Sequence, residues 1–363
     1  MNRKMLVTLS MAVLFLSACG GKKEQEEIDL TGLTISQIEE EAKKEGSCES
    51  VAMPDNWANW KESWERLQEL YGIEHHDTDM SSAEEIALFE AEKDSPTKDM
   101  GDIGFGFAGV VTERDVVQPF KPSTWDSIPD WAKDPEGRWI MSYTGSTAFT
   151  VNLDKTDGRV PHSWAELMAG NYRVSPGNVI GGAGPQTMVI ACSIANGGGI
   201  DNVRPGIEYF KELAKQGRID PGETTQDRMA VGEIEVMIGK YDFMGLGYKE
   251  AIEQSGGSID VVIPEDGAIQ TGYCLCINKY APHPHVAALT LEYMLSDEGQ
   301  IDRARGFARP IRQDVALPEE VKAKLLPDSQ YEHVIPLDDA EALTEACKQV
   351  AQLWEEEVMP YMN

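Results

Sequence analysis

The chain has 363 residues, 41% hydrophobic and 26% charged, and 62 acidic against 32 basic side chains give a formal net charge of -30. That length and apolar content allow a large folded body with two or three domain-sized cores. The acidic balance excludes nucleic acid and a polybasic membrane patch, and it leaves the charge of any internal pocket open.

Arg3 and Lys4 precede an apolar run over residues 5–16. The run is too short to span a bilayer as a helix and reads as a secretory signal. It ends in Leu16-Ser17-Ala18-Cys19. This box resembles the bacterial lipoprotein signal, which implies cleavage before Cys19 and acylation of its thiol and new amine. More than one fatty chain gives stable membrane anchoring. Arg3 and Lys4 would leave with residues 1–18, so the mature chain is near -32. Residues 20–31 are rich in glycine and charge and read as a flexible tether. Cys48, Cys192, Cys274, Cys276 and Cys347 remain beside Cys19, an odd number at scattered spacings. They form no disulfide framework, and at least one thiol is expected to stay free.

Ser36 with Glu39 forms a capping box that predicts a helix to Glu45, stopped by Gly46. Residues 48–53 read as a first strand. Asp55-Asn56 predicts the cap of a helix over 57–71, where Trp57, Trp60, Trp64, Leu67 and Tyr71 recur at helical spacing. From Trp64 onward that stripe reads as core. Trp57, Asn59 and Trp60 fall near the carboxyl end of the strand, where open α/β sheets bind ligands, so core and ligand-facing roles both fit them. Residues 73–77 read as a second strand. The run from Glu74 to Asp79, with His75 and His76, carries metal-ligand residue types. Neighbours on a strand point to opposite faces, so a solvated strand end is expected and no metal. Ser81-Ser82 before Glu84-Glu85 doubles the capping signal for the next helix.

Gly104-Phe105-Gly106-Phe107-Ala108-Gly109 matches the dinucleotide fingerprint letter by letter. It follows at least a third strand rather than the first, so no nucleotide cofactor is expected. A tight strand-to-helix turn that brings backbone and Phe107 near a cleft fits better. Residues 140–152 are β-prone and carry Thr144 and Ser146. Ser163 with Glu166 forms another capping box. Gly181-Gly-Ala-Gly-Pro-Gln-Thr187 opens an apolar helix over 188–195, with Gly184 at the cap and Pro185 at the first helical position. Its free N–H groups and positive dipole end favour an anion, with Gln186 and Thr187 as added donors; an ordinary glycine loop is the other reading.

Further helices are expected over 206–216, 225–232, 248–254, 285–295, 297–305 and 338–357, and strands over 235–239, 259–263 and 273–278. Lys240 and Tyr241 follow one of these strands, Tyr248 opens a helix and Tyr273 opens a strand. Cys274 and Cys276 alternate with Tyr273 and Leu275, so they share one face and read as small buried hydrophobes. No Gly-x-Ser-x-Gly elbow or His-Glu-x-x-His motif appears, and His162-Ser163 belongs to a helix cap, so no catalytic constellation is evident.

Residues 50–312 carry Asn56-Trp57-Ala58-Asn59-Trp60, Asp102-Ile103, Gly145-Ser-Thr-Ala-Phe-Thr-Val-Asn152, His162-Ser-Trp-Ala-Glu-Leu167, Gly232-Glu-Ile-Glu-Val-Met237, Ile259-Asp-Val-Val-Ile-Pro-Glu-Asp-Gly267, Asn278-Lys-Tyr-Ala-Pro-His283 and Phe307-Ala-Arg-Pro-Ile-Arg312. In order and spacing this resembles the type II extracellular solute-binding proteins of ABC importers, nearest the polyamine, iron, phosphonate and sugar-phosphate cluster. The resemblance implies an α/β fold: a two-lobe periplasmic-binding-protein type II fold with two hinge crossovers and an interlobe ligand cleft. The implied layout is a signal peptide at 1–18 and a lipidated tether at 19–33. Lobe 1 would take 34–151 with 274–316, and lobe 2 would take 152–273 with 317–363, crossing near 150–153 and 268–273. It also implies a monomer outside the cytoplasm, a small-molecule ligand and an ABC permease as partner.

Polyamine-binding members carry acids near Tyr273 and where this chain has its 181–187 loop, and ferric members use adjacent tyrosines that Tyr241 lacks. The expected cleft is therefore neutral to positive: Trp57, Asn59 and Trp60; Ser81 and Ser82; Phe107; Thr144 and Ser146; Gly184, Gln186 and Thr187; Lys240, Tyr241, Tyr248 and Tyr273. That set suits an anion or zwitterion such as a phosphonate, phosphate ester or carboxylate. A polyamine- or thiamine-type cation, or a sensor role at a membrane receptor, is the alternative. Arg309 and Arg312 fit either a ligand contact or a hinge ion pair.

Overall fold

The computed structural model describes residues 28–362, so the Cys19 box and most of the tether lie outside the described residues. Among the described residues twelve strands form two sheets. The larger contains β1 (Ser47–Val51), β2 (Glu74–Thr78), β3 (Met100–Gly104), β4 (Val117–Gln118), β5 (Ile140–Ser146), β10 (Ala268–Asn278), β11 (Arg309–Pro310) and β12 (Val334–Pro336). The smaller contains β6 (Phe149–Asn152), β7 (Val174–Ser175), β8 (Val236–Met237) and β9 (Ile259–Val262).

The larger sheet runs β11-β5-β10-β3-β1-β2, with β4 and β12 also paired to β10. β2, β1 and β3 are parallel, whereas β10 lies antiparallel between β3 and β5. The smaller sheet runs β7-β8-β6-β9. Parallel β1, β2 and β3 put their carboxyl ends at one edge, where loops can converge on a ligand.

The chain passes between sheets twice, after β5 ends at Ser146 and after β9 ends at Val262. Both passages fall earlier than 150–153 and 268–273, because β10 stays in the larger sheet from Ala268 onward. β12 also pairs there, through Ala268 with Val334, so that part of 317–363 adds to the first lobe's sheet. The terminal helix Ala340–Leu353 packs on both lobes: Thr344 accepts the Gly109 N–H at 3.3 Å, and the helix also lies against Ala183–Ala195.

Several local signals act as the sequence predicts. Ser81 and Glu84 form a capping box before Ser82–Ala91, and Ser163 and Thr225 each cap a helix. Two starts shift. The first helix, Ile35–Glu45, is capped by Thr34 with Gln37 rather than by Ser36 with Glu39. The tryptophan helix begins at Trp60, not Trp57, because Ala58 and Asn59 both adopt left-handed backbone, with φ of 43° and 57°. The Gly104–Gly109 run is a strand end, a 3-10 turn at Phe105–Phe107 and a helix at Ala108–Glu113. All five described cysteines are free and buried. Among the described residues no helix is long and apolar enough to cross a membrane.

Candidate functional site

A cavity of about 340 Å³ opens between the two sheets. The first lobe lines it with Ala52, Trp57, Asp79, Met80, Ser81, Ser82, Glu84, Asp102 and Tyr273. The second lobe adds Asn178, Gly182, Ala183, Gly184, Pro185, Glu223, Thr224, Gly239 and Lys240. A larger hollow of about 640 Å³ runs along β9, lined by His162, Glu265 and His333 among others. It takes no residue from the strand ends of β1, β2 or β3, so the interlobe cavity is the candidate site.

Two left-handed residues after Trp57 turn its ring away from the helix that follows. Trp57 donates its Nε1–H to the Tyr143 hydroxyl at 2.6 Å, and Tyr143 donates onward to Asp102 Oδ2 at 2.5 Å. Its ring meets Phe243 and Tyr273 edge-on, with centroids 5.5 and 5.2 Å apart. Tyr143 and Tyr273 stack at 5.7 Å. An aromatic wall with the polar tips of Trp57 and Tyr143 satisfied is thus fixed before any solute arrives.

Opposite, the helix Ala183–Ala195 starts without a side-chain cap. The N–H groups of Ala183 and Gly184 have no partner inside the helix, and Pro185 has no N–H to offer, so the helix end presents donors and positive potential. Gly104 makes this approach possible, since a Cβ there would collide with the Ala183 side chain. Half-buried Lys240 lies over the Trp57 ring, 5.2 Å from its centroid, and among the described residues it has no ion pair. Burial holds its pKa below the ordinary lysine value, against the pull of Asp79 and Glu223. Burial also raises Asp79. It pushes Asp102 up to about 8, even though the Tyr143 bond and Arg303 favour its charged form.

Of the residues expected from sequence, Trp57, Ser81, Ser82, Gly184, Lys240 and Tyr273 line the cavity. The others do not. Trp60 is fully buried, stacked on Trp64 at 6.1 Å and covered by the Arg303 guanidinium at 3.8 Å. Asn59 points to Glu62 and the Asp302 carbonyl. Phe107 packs in the 3-10 turn, and Thr144 faces Gln270 and the Arg309 carbonyl. Ser146 gives its backbone N–H to Asp242, while Gln186 donates to the Ile180 carbonyl. Thr187 accepts from buried Tyr241, and Tyr248 donates to the Thr224 carbonyl at 3.4 Å. These nine serve the walls behind the site. Arg309 lies over Tyr331 and pairs with Asp328, and Arg312 pairs with Asp314 and Asp297, so both are structural.

Sequence reasoning missed Asp79, Glu84, Asp102, Asn178, Glu223 and Thr224. Their presence corrects the expected neutral-to-positive cleft: exposed carboxylates stand at its mouth from both lobes, Asp79 and Glu84 on one side and Glu223 on the other. The reason is tertiary, because Asp79 and Glu223 sit in turns that read as solvated until the lobes meet. Asp79 did fall in the histidine-acid run, but its partners there are dispersed. His75 stacks on Trp64 at 3.7 Å, and His76 pairs with Glu49. No grouping fit to hold a metal occurs among the described residues.

The sequence profile of the bacterial extracellular solute-binding proteins matches residues 96–338. The chain belongs to that family. This solute-binding protein has no match among curated protein sequences. Its fold matches AfuA of Actinobacillus pleuropneumoniae with fructose-6-phosphate bound, at TM-score 0.70 and 16% identity over 86% of this chain and 99% of that one. AgtB of A. tumefaciens R10 in complex with agropinic acid matches at 0.69 and 14%, over 86% and 99%. The ferric binding protein of Campylobacter jejuni matches at 0.65 and 16%, over 85% and 98%. Family membership makes the chain an extracellular solute-binding protein rather than an enzyme.

Proposed function

We propose that this protein captures a small zwitterionic solute between its lobes and delivers it, as a monomer tethered through lipid on Cys19, to an ABC permease. Two solved relatives hold fructose-6-phosphate and agropinic acid and a third is a ferric binding protein, so the fold leaves the ligand open and the residues of the cavity must decide. One observation carries the reading. Lys240 stands without an ion pair in a cavity that also holds the open N–H end of the Ala183 helix, while Asp79 and Glu223 flank the mouth. An acid group suits the first pair and an ammonium the second. A polyanion such as a sugar phosphate would meet three carboxylates, and a bare diamine would leave Lys240 facing a like charge.

The test is calorimetry with ω-amino acids, from 4-aminobutyrate to 6-aminohexanoate, against the matching fatty acids and alkylamines that keep one charge each. The zwitterion is expected to bind more tightly than either singly charged analogue by about tenfold, or 1.4 kcal/mol. Equal or tighter binding of the alkylamine or the fatty acid refutes it. The anchor is tested separately: Cys19→Ala should release the protein from membranes into the soluble fraction.

A further inference from the structure

Tyr273 sits on β10 between Gly104 of β3 and Tyr143 of β5, and the β10–β5 register shifts just after it. A bulge of this kind re-aims the side chain beside it. The ring is stacked on Tyr143 at 5.7 Å and meets Trp57 and Tyr241 edge-on at 5.2 and 5.8 Å. The residue is 8% exposed and lines the interlobe cavity. Its hydroxyl has no hydrogen-bond partner among the described residues, and unlike the sealed polar atoms of the core it keeps accessible surface. A hydroxyl on so buried a residue, left without a partner, calls for an explanation. Burial raises its pKa well above the ordinary tyrosine value, so the oxygen keeps its proton to donate.

The hydroxyl stands beside the start of the helix Ala183–Ala195, 3.8 Å from the point where a Cβ on Gly184 would lie. The Ala183 and Gly184 N–H groups find no acceptor among the described residues. The Gly239 carbonyl oxygen is 3.0 Å from that same point, which brings the next residue, Lys240, to the helix start as well. Two N–H groups, an O–H and an ammonium thus converge from both lobes on one corner of the cavity. A carboxylate accepts at about four lone-pair sites on its two oxygens and matches that set. A phosphonate brings a third oxygen without a donor and more negative charge toward Asp79 and Glu223.

We infer that the Tyr273 hydroxyl donates to the acid group of the bound solute and, with the Ala183 and Gly184 N–H groups and Lys240, selects a carboxylate there. The inference rests on the acid half of the zwitterion reading and names the class of acid. The hydroxyl gains a charge-assisted hydrogen bond only when the cleft is filled.

Tyr273→Phe keeps the ring and removes only the hydroxyl. That oxygen has no partner in the empty protein, so the variant should unfold at the same temperature as the parent. Calorimetry with butyrate, 4-aminobutyrate and 6-aminohexanoate should show each weakened about tenfold or more in the variant, with butylamine unchanged. In the parent, 3-aminopropylphosphonate should bind at least about tenfold more weakly than 4-aminobutyrate, a comparison that stands whatever the variant does. Unchanged affinity of the variant for the carboxylates, equal weakening for butylamine, or a phosphonate that binds the parent as tightly as 4-aminobutyrate overturns the inference. A variant that is less stable and binds normally gives the hydroxyl a structural role and overturns it too. If butyrate binds as tightly as the amino acids and the variant weakens both, the zwitterion reading falls while the carboxylate contact stands. If no carboxylate binds the parent, both fall.

Discussion

Lys240→Met tests the charge logic of the site most directly. The methionine keeps a flexible apolar stem of similar reach and removes the ammonium. In the parent that ammonium has the Trp57 ring at 5.2 Å but no ion pair, and burial depresses its pKa. A basic group whose folded pKa lies below its unfolded one subtracts stability at neutral pH, and the deficit fades as pH rises toward the unfolded value of about 10.4. The variant should therefore unfold at the same or higher temperature at pH 7, and the gap should narrow toward pH 10. Binding should move the other way. A hydrogen bond between a charged donor and a carboxylate is worth about 1.5–3 kcal/mol, so loss of the ammonium should weaken a zwitterionic probe by about 10- to 150-fold. Thermal unfolding and calorimetry on one preparation read both quantities. A variant that is less stable and binds normally would show Lys240 to be a structural partner of Asp79, and the placement of the ligand's acid group would be wrong.

The two tryptophans should separate. Trp60→Ala is expected to cost about 3–5 kcal/mol in urea unfolding because that ring is fully buried, whereas Trp57→Ala should weaken binding and leave most stability intact. Trp57→Phe, which loses the bond to Tyr143 and part of the ring contact with Phe243 and Tyr273, should cost at least about 1 kcal/mol. Gly104→Ala should hold the lobes apart, since the new Cβ meets Ala183 across the cleft; small-angle scattering with saturating solute should show a larger radius than the parent, with lobe unfolding unchanged. His75, whose pKa burial lowers to about 3, should make the fold less stable as pH falls below about 6.5, because the unfolded chain takes up a proton that the native ring refuses. The stability difference between the parent and His75→Phe, followed from pH 7 to 4, should shift in favour of the variant; a constant difference counts against that burial.

What the chain revealed in one dimension was local or cumulative. Ser81 with Glu84, Ser163 and Thr225 cap helices because a side-chain oxygen and a nearby N–H need only a few residues of backbone to meet. The alternation of Cys274 and Cys276 set them on one buried face, and the order of many loose motifs identified the two-lobe fold. Charge at the site was a different matter. Trp57 and Trp60 look equivalent by spacing, yet two left-handed residues between them send one ring to the cleft and the other into the core. Asp79 and Glu223 are 144 positions apart and carry no shared signal; they face one cavity because the two sheets close on each other. Asp102 reads as an ordinary strand residue until β10 and the Ser82 helix bury it beside that cavity. Sequence alone settled the helix caps, the buried strands and the class of protein, since these depend on contacts between near neighbours or on overall pattern. Which side chains meet the solute, and with what charge, depends on long-range closure and on desolvation, and those exist only once the lobes are folded together.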